Sequence, residues 1–127
     1  MDHSSLILIV GASKYMRDYI QKSLKIQGYN EIIEAVDGKD AIDALMEYKV
    51  DLIISELQMP KVSGLDLLKA MSNHSTLKNI PCIILTSDIS DDSFKEAMKT
   101  GAVDYIKKPF TSSELDIKIK SVDKDEL

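Results

Sequence analysis

Cysteine, histidine and unbroken hydrocarbon are all scarce in this 127-residue chain, and each shortage closes off a class of protein. There is one cysteine, Cys82, so no internal disulfide can form. It lies inside an apolar string and reads as a reduced core thiol. The two histidines, His3 and His74, fall in the N-terminal segment and in a polar loop, where neither looks like a metal ligand or a catalytic base. No apolar run approaches the roughly 20 residues of a membrane helix. The longest, residues 6–10 and 80–85, suit buried strands. The N-terminus lacks the basic stretch, longer apolar region and small-residue cleavage site of a secretory signal, so a cytoplasmic location is expected. Positive charge is not in excess either. The formal net charge is −5, and Lys107-Lys108 is the only adjacent basic pair. Binding to nucleic acid or to an anionic membrane is therefore not expected. The last four residues, Lys124, Asp125, Glu126 and Leu127, spell a signal for retention in the endoplasmic reticulum. That address is read only on chains that have entered the secretory pathway, so coincidence at the end of a charged helix is the simpler reading.

What is present is alternation. A chain of this length is enough for one core and too short for two, so a single domain over residues 1–127 is expected. Five apolar strings recur, at 6–10, 31–36, 52–55, 81–86 and 103–107, each followed by a segment with helical spacing. The first is a continuous β-rich run, as suits a strand covered on both faces. The second carries Glu31 and Glu34 and suits an edge. Met16, Ile20 and Leu24 form one helix face, with Ser13 as N-cap and Gly28 as stop. Asp37-Gly38 opens a helix with Ala41, Ala44, Leu45 and Tyr48 on one side, and a third helix runs over about 65–73. Ser90 is the expected cap of a fourth, carrying Phe94, Ala97 and Met98 and closed by Gly101. Ser112 or Ser113 begins the fifth, with Leu115, Ile119 and Val122 inward. Met46, Met71 and Met98 are expected in the core. Strict alternation predicts an α/β fold: a flavodoxin-like, doubly wound, five-stranded parallel sheet of order 2-1-3-4-5 with five helices.

In such a sheet ligands bind beyond the carboxyl ends of the strands. Those ends carry Gly11-Ala12-Ser13, Glu56-Leu57-Gln58, Thr86-Ser87-Asp88 and Lys108-Pro109-Phe110. A carboxylate, a hydroxyl and an ammonium thus converge. Gly11-Ala12-Ser13-Lys14 before a helix could be read as an anion site, but the spacing is not that of a P-loop and no dinucleotide fingerprint is present. A backbone turn and helix cap is the better reading. Asp88, Asp91 and Asp92 are read as solvating and capping the fourth helix rather than binding a cation.

Several landmarks occur in order: residues 13–17 (SKYMR), 34–38 (EAVDG), Met59-Pro60 with Gly64, 85–87 (LTS), Gly101-Ala102, and 105–110 (YIKKPF). Through them the chain resembles the receiver domains of two-component signalling, and the single-domain chemotaxis regulators in particular, over roughly residues 5–122. The resemblance implies a non-enzymatic signalling module. In that family two acidic residues after strand one and an aspartate ending strand three hold magnesium, and the aspartate takes a phosphoryl group from a histidine kinase. A Thr or Ser on strand four and a Lys after strand five then bind the phosphoryl oxygens, and an aromatic on strand five turns inward. Thr86, Lys108 and Tyr105 fit those switch positions. The acidic pair falls instead on Gly11 and Ala12, and the phosphoacceptor on Glu56.

A usual receiver pocket sets three carboxylates against one lysine, about −2, which a divalent cation neutralises. Here only Glu56 and Lys108 remain, so the pocket is formally neutral, and Gly11 and Ala12 offer no side-chain oxygen. Mg2+ binding is expected to be lost, leaving no cofactor. Phosphorylation at Glu56 is not expected, because its nucleophile is displaced by about a bond length and such errors near 1 Å cost about a hundredfold. Two readings of Glu56 stay open. Its carboxylate could partly imitate a phosphorylated aspartate and draw Thr86 inward, or it could simply pair with Lys108; the second is simpler. Tyr105 likewise could be an ordinary strand aromatic.

The expected function is therefore a phosphorylation-independent interaction module. Its partner would be a sensor kinase, an output protein, another receiver or, weakly, a second copy of itself. The face the resemblance implies is Lys95, Lys99, Tyr105, Lys107, Glu114 and Lys118. The competing readings are a phosphoacceptor with an altered site, a small-anion or nucleotide sensor using the first helix terminus and Lys108, and an engineered inactive variant of a conventional receiver.

Overall fold

The computed structural model describes residues 1–125, with side chains described through residue 122. The terminal tetrapeptide, whose match to a retention signal is read as coincidence, lies outside the residues whose side chains are described. The elements alternate without exception: β1 Ile7–Val10, α1 Lys14–Ile26, β2 Ile32–Ala35, α2 Gly38–Glu47, β3 Leu52–Glu56, α3 Gly64–Ser72, β4 Cys82–Thr86, α4 Asp92–Thr100, β5 Asp104–Lys107 and α5 Ser112–Asp125. The strands form one sheet in the order β2-β1-β3-β4-β5, and every described pairing is parallel. The predicted fold class and strand order are observed.

The apolar runs of β1 (7–10), β3 (52–54) and β4 (82–85) follow from two-sided burial. Successive side chains alternate between faces. Leu8, Val10, Ile53 and Ile84 point to one core, shared with Ala41 and Leu45 of α2, Leu67, Leu68 and Met71 of α3, and Phe94 and Ala97 of α4. Ile7, Ile9, Leu52, Ile54, Ile83 and Leu85 point to the other, closed by Ile20 and Leu24 of α1 and Leu115, Ile119 and Val122 of α5. β2, with its polar Glu34, is an edge.

Local details depart from the expectation in four places. The cap of α4 is Asp91, whose carboxylate accepts the Ser93 amide, because Ser90 is already taken into a turn by Asp88 Oδ1. Helix α3 starts one residue early, at Gly64, since Ser63 and Asp66 close a capping box. Helix α5 opens at Ser112 as expected; Thr111 supplies its capping oxygen, accepting the Glu114 amide, and the Ser112 hydroxyl bonds that of Ser23 on α1. Among the three methionines, Met71 is buried and Met98 partly so, but Met46 is 62 % exposed. It lies beside Leu45 on α2, and a neighbour turned about 100° around the axis faces solvent when Leu45 faces the sheet. Tyr48, expected inward, is the C-cap of α2 in extended conformation and about half exposed.

Candidate functional site at the carboxyl end of the sheet

Each predicted pocket residue is delivered by a strand end. Glu56 is the last residue of β3 and Thr86 the last of β4, and both are buried. Lys108 follows β5, and its amide donates to the Thr86 carbonyl at 2.8 Å, so the loop after β5 is tied to the end of β4. The Lys108–Pro109 peptide is cis. Lys108 Nζ stands 3.9 Å from Glu56 Oε1. That is charge contact, too long for a hydrogen bond.

Thr86 points elsewhere. Its hydroxyl accepts the Asp88 amide at 3.2 Å and donates to the Asp88 carbonyl at 3.4 Å, so it closes a turn at the start of the β4–α4 loop. Asp88 and Asp91 anchor the same loop. Hydrogen bonds from the hydroxyl and amide of Ser90 hold the Asp88 carboxyl below its usual range, and those of Ser93 do the same for Asp91.

Gly11 and Ala12 follow β1. The Gly11 amide donates to the Ala35 carbonyl at 3.0 Å. The Glu56 side chain lies over Gly11: a β-carbon at residue 11 would meet Glu56 Cδ at 3.1 Å. Ser13 caps α1 as expected, accepting the Met16 amide. Beneath Glu56, Gly64 at the start of α3 donates to the Leu57 carbonyl at 2.9 Å, and a β-carbon there would sit 2.5 Å from the Glu56 carbonyl oxygen.

One participant was not foreseen as a site residue. Arg17 of α1 donates from Nη1 to the Gly11 carbonyl at 2.6 Å and from Nε to Glu34 Oε1 at 3.0 Å. It clamps the β1–α1 turn to the edge strand. The available signal was Glu34 itself, a carboxylate placed in a strand otherwise apolar on that stretch. Cys82, by contrast, is where it was expected: fully buried in β4, its thiol pushed up to about 12 by burial.

The profile of the response regulator receiver domain matches residues 7–120. The chain belongs to the response regulator receiver domain family. It is 34 % identical over 116 residues to the chemotaxis protein CheY of Pseudomonas aeruginosa, covering 91 % of this chain and 94 % of that one. Its fold superimposes on the chemotaxis protein CheY4 of Vibrio cholerae with a TM-score of 0.87 at 29 % identity, covering 94 % of this chain and 98 % of that one. The fold also matches, at TM-score 0.85 and 22 % identity, the receiver domain of a Pseudomonas aeruginosa sensor histidine kinase with a magnesium ion coordinated in its active-site cleft; 93 % of this chain and 96 % of that one are covered. Receivers of the CheY type are two-component signalling modules that typically bind Mg2+ and work with sensor kinases and output proteins.

Of the receiver face expected from the sequence, part assembles around one feature. Tyr105, Lys107, Glu114 and Lys118 line a shallow groove of about 270 Å³ with Ile106 and Ile117. Tyr105 is half-buried, its ring edge-on to Phe94 of α4 with centroids 5.0 Å apart. Lys118 Nζ sits 4.9 Å from the Tyr105 ring centre and is held there by Asp104 Oδ1 at 2.9 Å. Lys95 and Lys99 are exposed on α4 but do not line this groove. Ile117, which lines the groove, is well exposed. Ile117 falls between the inward positions Leu115 and Ile119, so helical geometry turns it out. A second groove, about 200 Å³, opens between α1 and the segment after β5, lined by Tyr15, Met16, Tyr19, Pro109 and Phe110. No described helix is long and apolar enough to cross a membrane.

Proposed function

We propose that this receiver signals without phosphorylation and without magnesium, as a single-domain cytoplasmic interaction module. In this reading Gly11 and Ala12 stand where the family has its acidic pair, and Glu56 where it has the phosphoacceptor aspartate. The observation that carries it is the donor set at the strand ends. Magnesium needs near-octahedral oxygen ligation, usually including one or two carboxylates. Gly11 and Ala12 have no side-chain oxygen, and the one carboxylate at the matched positions, Glu56, already lies in charge contact with Lys108. Among the described residues, no three His, Cys, Asp or Glu side chains are grouped so as to hold a metal ion. These residues do not fit the ion, and phosphoryl transfer depends on it for charge stabilisation.

Between the two readings of Glu56, the pairing reading has the better support. The Thr86 hydroxyl is engaged by the Asp88 backbone, and Glu56 does not draw it inward. Thr86, Lys108 and Tyr105 then act as framework for a fixed surface instead of a switch. The partner is a sensor kinase, an output protein or another receiver, met through Tyr105, Lys107, Glu114 and Lys118 with Lys95 and Lys99 at the margin. Neither nucleic acid nor a membrane is the target, and any self-association is weak.

The test is a two-dimensional amide NMR titration with Mg2+, then beryllofluoride. Signals of Gly11, Glu56, Thr86 and Lys108 are expected to stay put at millimolar Mg2+. Saturable shifts spreading to Tyr105 would overturn the proposal and make the chain a phosphoacceptor with an altered site.

A further inference from the structure

Gly11 has no backbone reason to be glycine. Among the described glycines only Gly28 and Gly101 have positive φ, so alanine fits the conformation at residue 11. What a side chain would meet there is Glu56: Cδ at 3.1 Å, Cγ and Oε1 at 3.3 Å. Such contacts are tighter than most carbon atoms tolerate, so one partner must give by a few tenths of an ångström. The Gly11 backbone is pinned on both sides, its amide on Ala35 and its carbonyl under Arg17. Glu56 is buried with Oε1 3.9 Å from Lys108 Nζ, so a side chain at residue 11 is accommodated by shifting the Glu56 carboxylate and with it that charge contact.

We propose that Gly11 and Glu56 are one interlocked feature: the glycine makes the space into which the longer carboxylate folds to reach Lys108, and Glu56 is the reason residue 11 has no side chain. Gly11 is thus a positioning residue for the Glu56–Lys108 pair. Acidic residues cannot then be restored to this site one at a time, because any side chain at residue 11 displaces the pair while Glu56 is present. The inference concerns the site of the proposed function but does not need the chain to be phosphorylation-independent.

The experiment is a double-mutant cycle on the full chain with Gly11→Ala, Glu56→Asp and both together, read by thermal unfolding and by the Lys108 amide shift. In the native background Gly11→Ala is expected to lower Tm by about 3–6 °C and to move the Lys108 signal. In the Glu56→Asp background the carboxylate is retracted by a methylene. There the same alanine is expected to leave Tm unchanged or raise it by about 1–3 °C, by filling the space and restricting the unfolded chain. Glu56→Gln, which keeps the shape and drops the charge, should preserve the loss. Equal losses in the native and Glu56→Asp backgrounds would overturn the interlock, as would no loss in the native one. If Gly11→Ala alone does not fold, a folded double variant supports the inference and an unfolded one refutes it. A magnesium response of the unaltered chain would remove the proposed function while leaving this cycle intact.

Discussion

Replacing Gly64 by alanine separates local preference from tertiary geometry, because the two predict opposite signs. Gly64 is the first residue of α3, and its φ is not positive. On helix propensity alone, alanine would stabilise by up to about 1 kcal/mol. The fold says otherwise. A β-carbon there would lie 2.5 Å from the Glu56 carbonyl oxygen and 3.0 Å from Leu57 Cα. Both are backbone atoms of the β3 terminus, which is itself paired to β4. No side-chain rotation relieves the overlap, so α3 must lift away from the strand. Overpacking of this kind costs about 1–3 kcal/mol. The Gly64 amide to Leu57 carbonyl bond, 2.9 Å long, is strained at the same time and adds about 0.5–1.5 kcal/mol. Net of propensity, Gly64→Ala is expected to destabilise by about 0.5–3.5 kcal/mol. Urea unfolding followed by circular dichroism gives this number, with an unchanged m-value showing that the same surface is exposed. The Glu56 and Lys108 amides should shift as well, since the lifted helix carries the Glu56 peptide with it. A variant as stable as the parent, with those amides unmoved, would refute the claim that α3 is seated on the strand end and holds the site from below.

Two further expectations follow from named contacts. Arg17→Met removes a charged hydrogen bond to the Gly11 carbonyl and the partner of Glu34 while keeping the aliphatic stem; it should cost about 1.5–3 kcal/mol in urea unfolding, and a loss below 0.5 kcal/mol would mean that water replaces the clamp. Asp91 has a folded-state pKa below its ordinary 3.8 because the Ser93 hydroxyl and amide bond its carboxylate. Its contribution is therefore present above that value and lost as the pH falls below it. Asp91→Asn, which keeps the cap, should make the decline of the urea midpoint below about pH 4 shallower, and an unchanged decline would assign the acid sensitivity to other carboxylates.

Legibility in the sequence tracked the range of the interaction involved. The strands of the centre announced themselves because a strand covered on both faces is mostly apolar, so β1, β3 and β4 show apolar runs without alternation, with Ser55, Glu56 and Thr86 as their buried polar exceptions at the carboxyl ends. Ser13 and Asp37 were readable as caps, since a cap is a contract between residues three apart; Ser90 was misread because two neighbouring aspartates, Asp88 and Asp91, compete for adjacent serines and only the bend of the loop assigns them. The composition of the site was also legible: Glu56, Thr86 and Lys108 at strand ends that a parallel sheet must bring together.

What the sequence determined by itself was therefore periodicity, the alternating order of elements and the identity of the groups at one end of the sheet, because these depend on side-chain chemistry and short spacings. Only the tertiary structure decided where those groups point. Thr86 turns to Asp88 and not to Glu56, Arg17 reaches across to the Gly11 carbonyl, and Glu56 folds over a residue 45 positions earlier in the chain. Such orientations are set by which atoms occupy a shared volume, and that volume exists only once the strands are side by side.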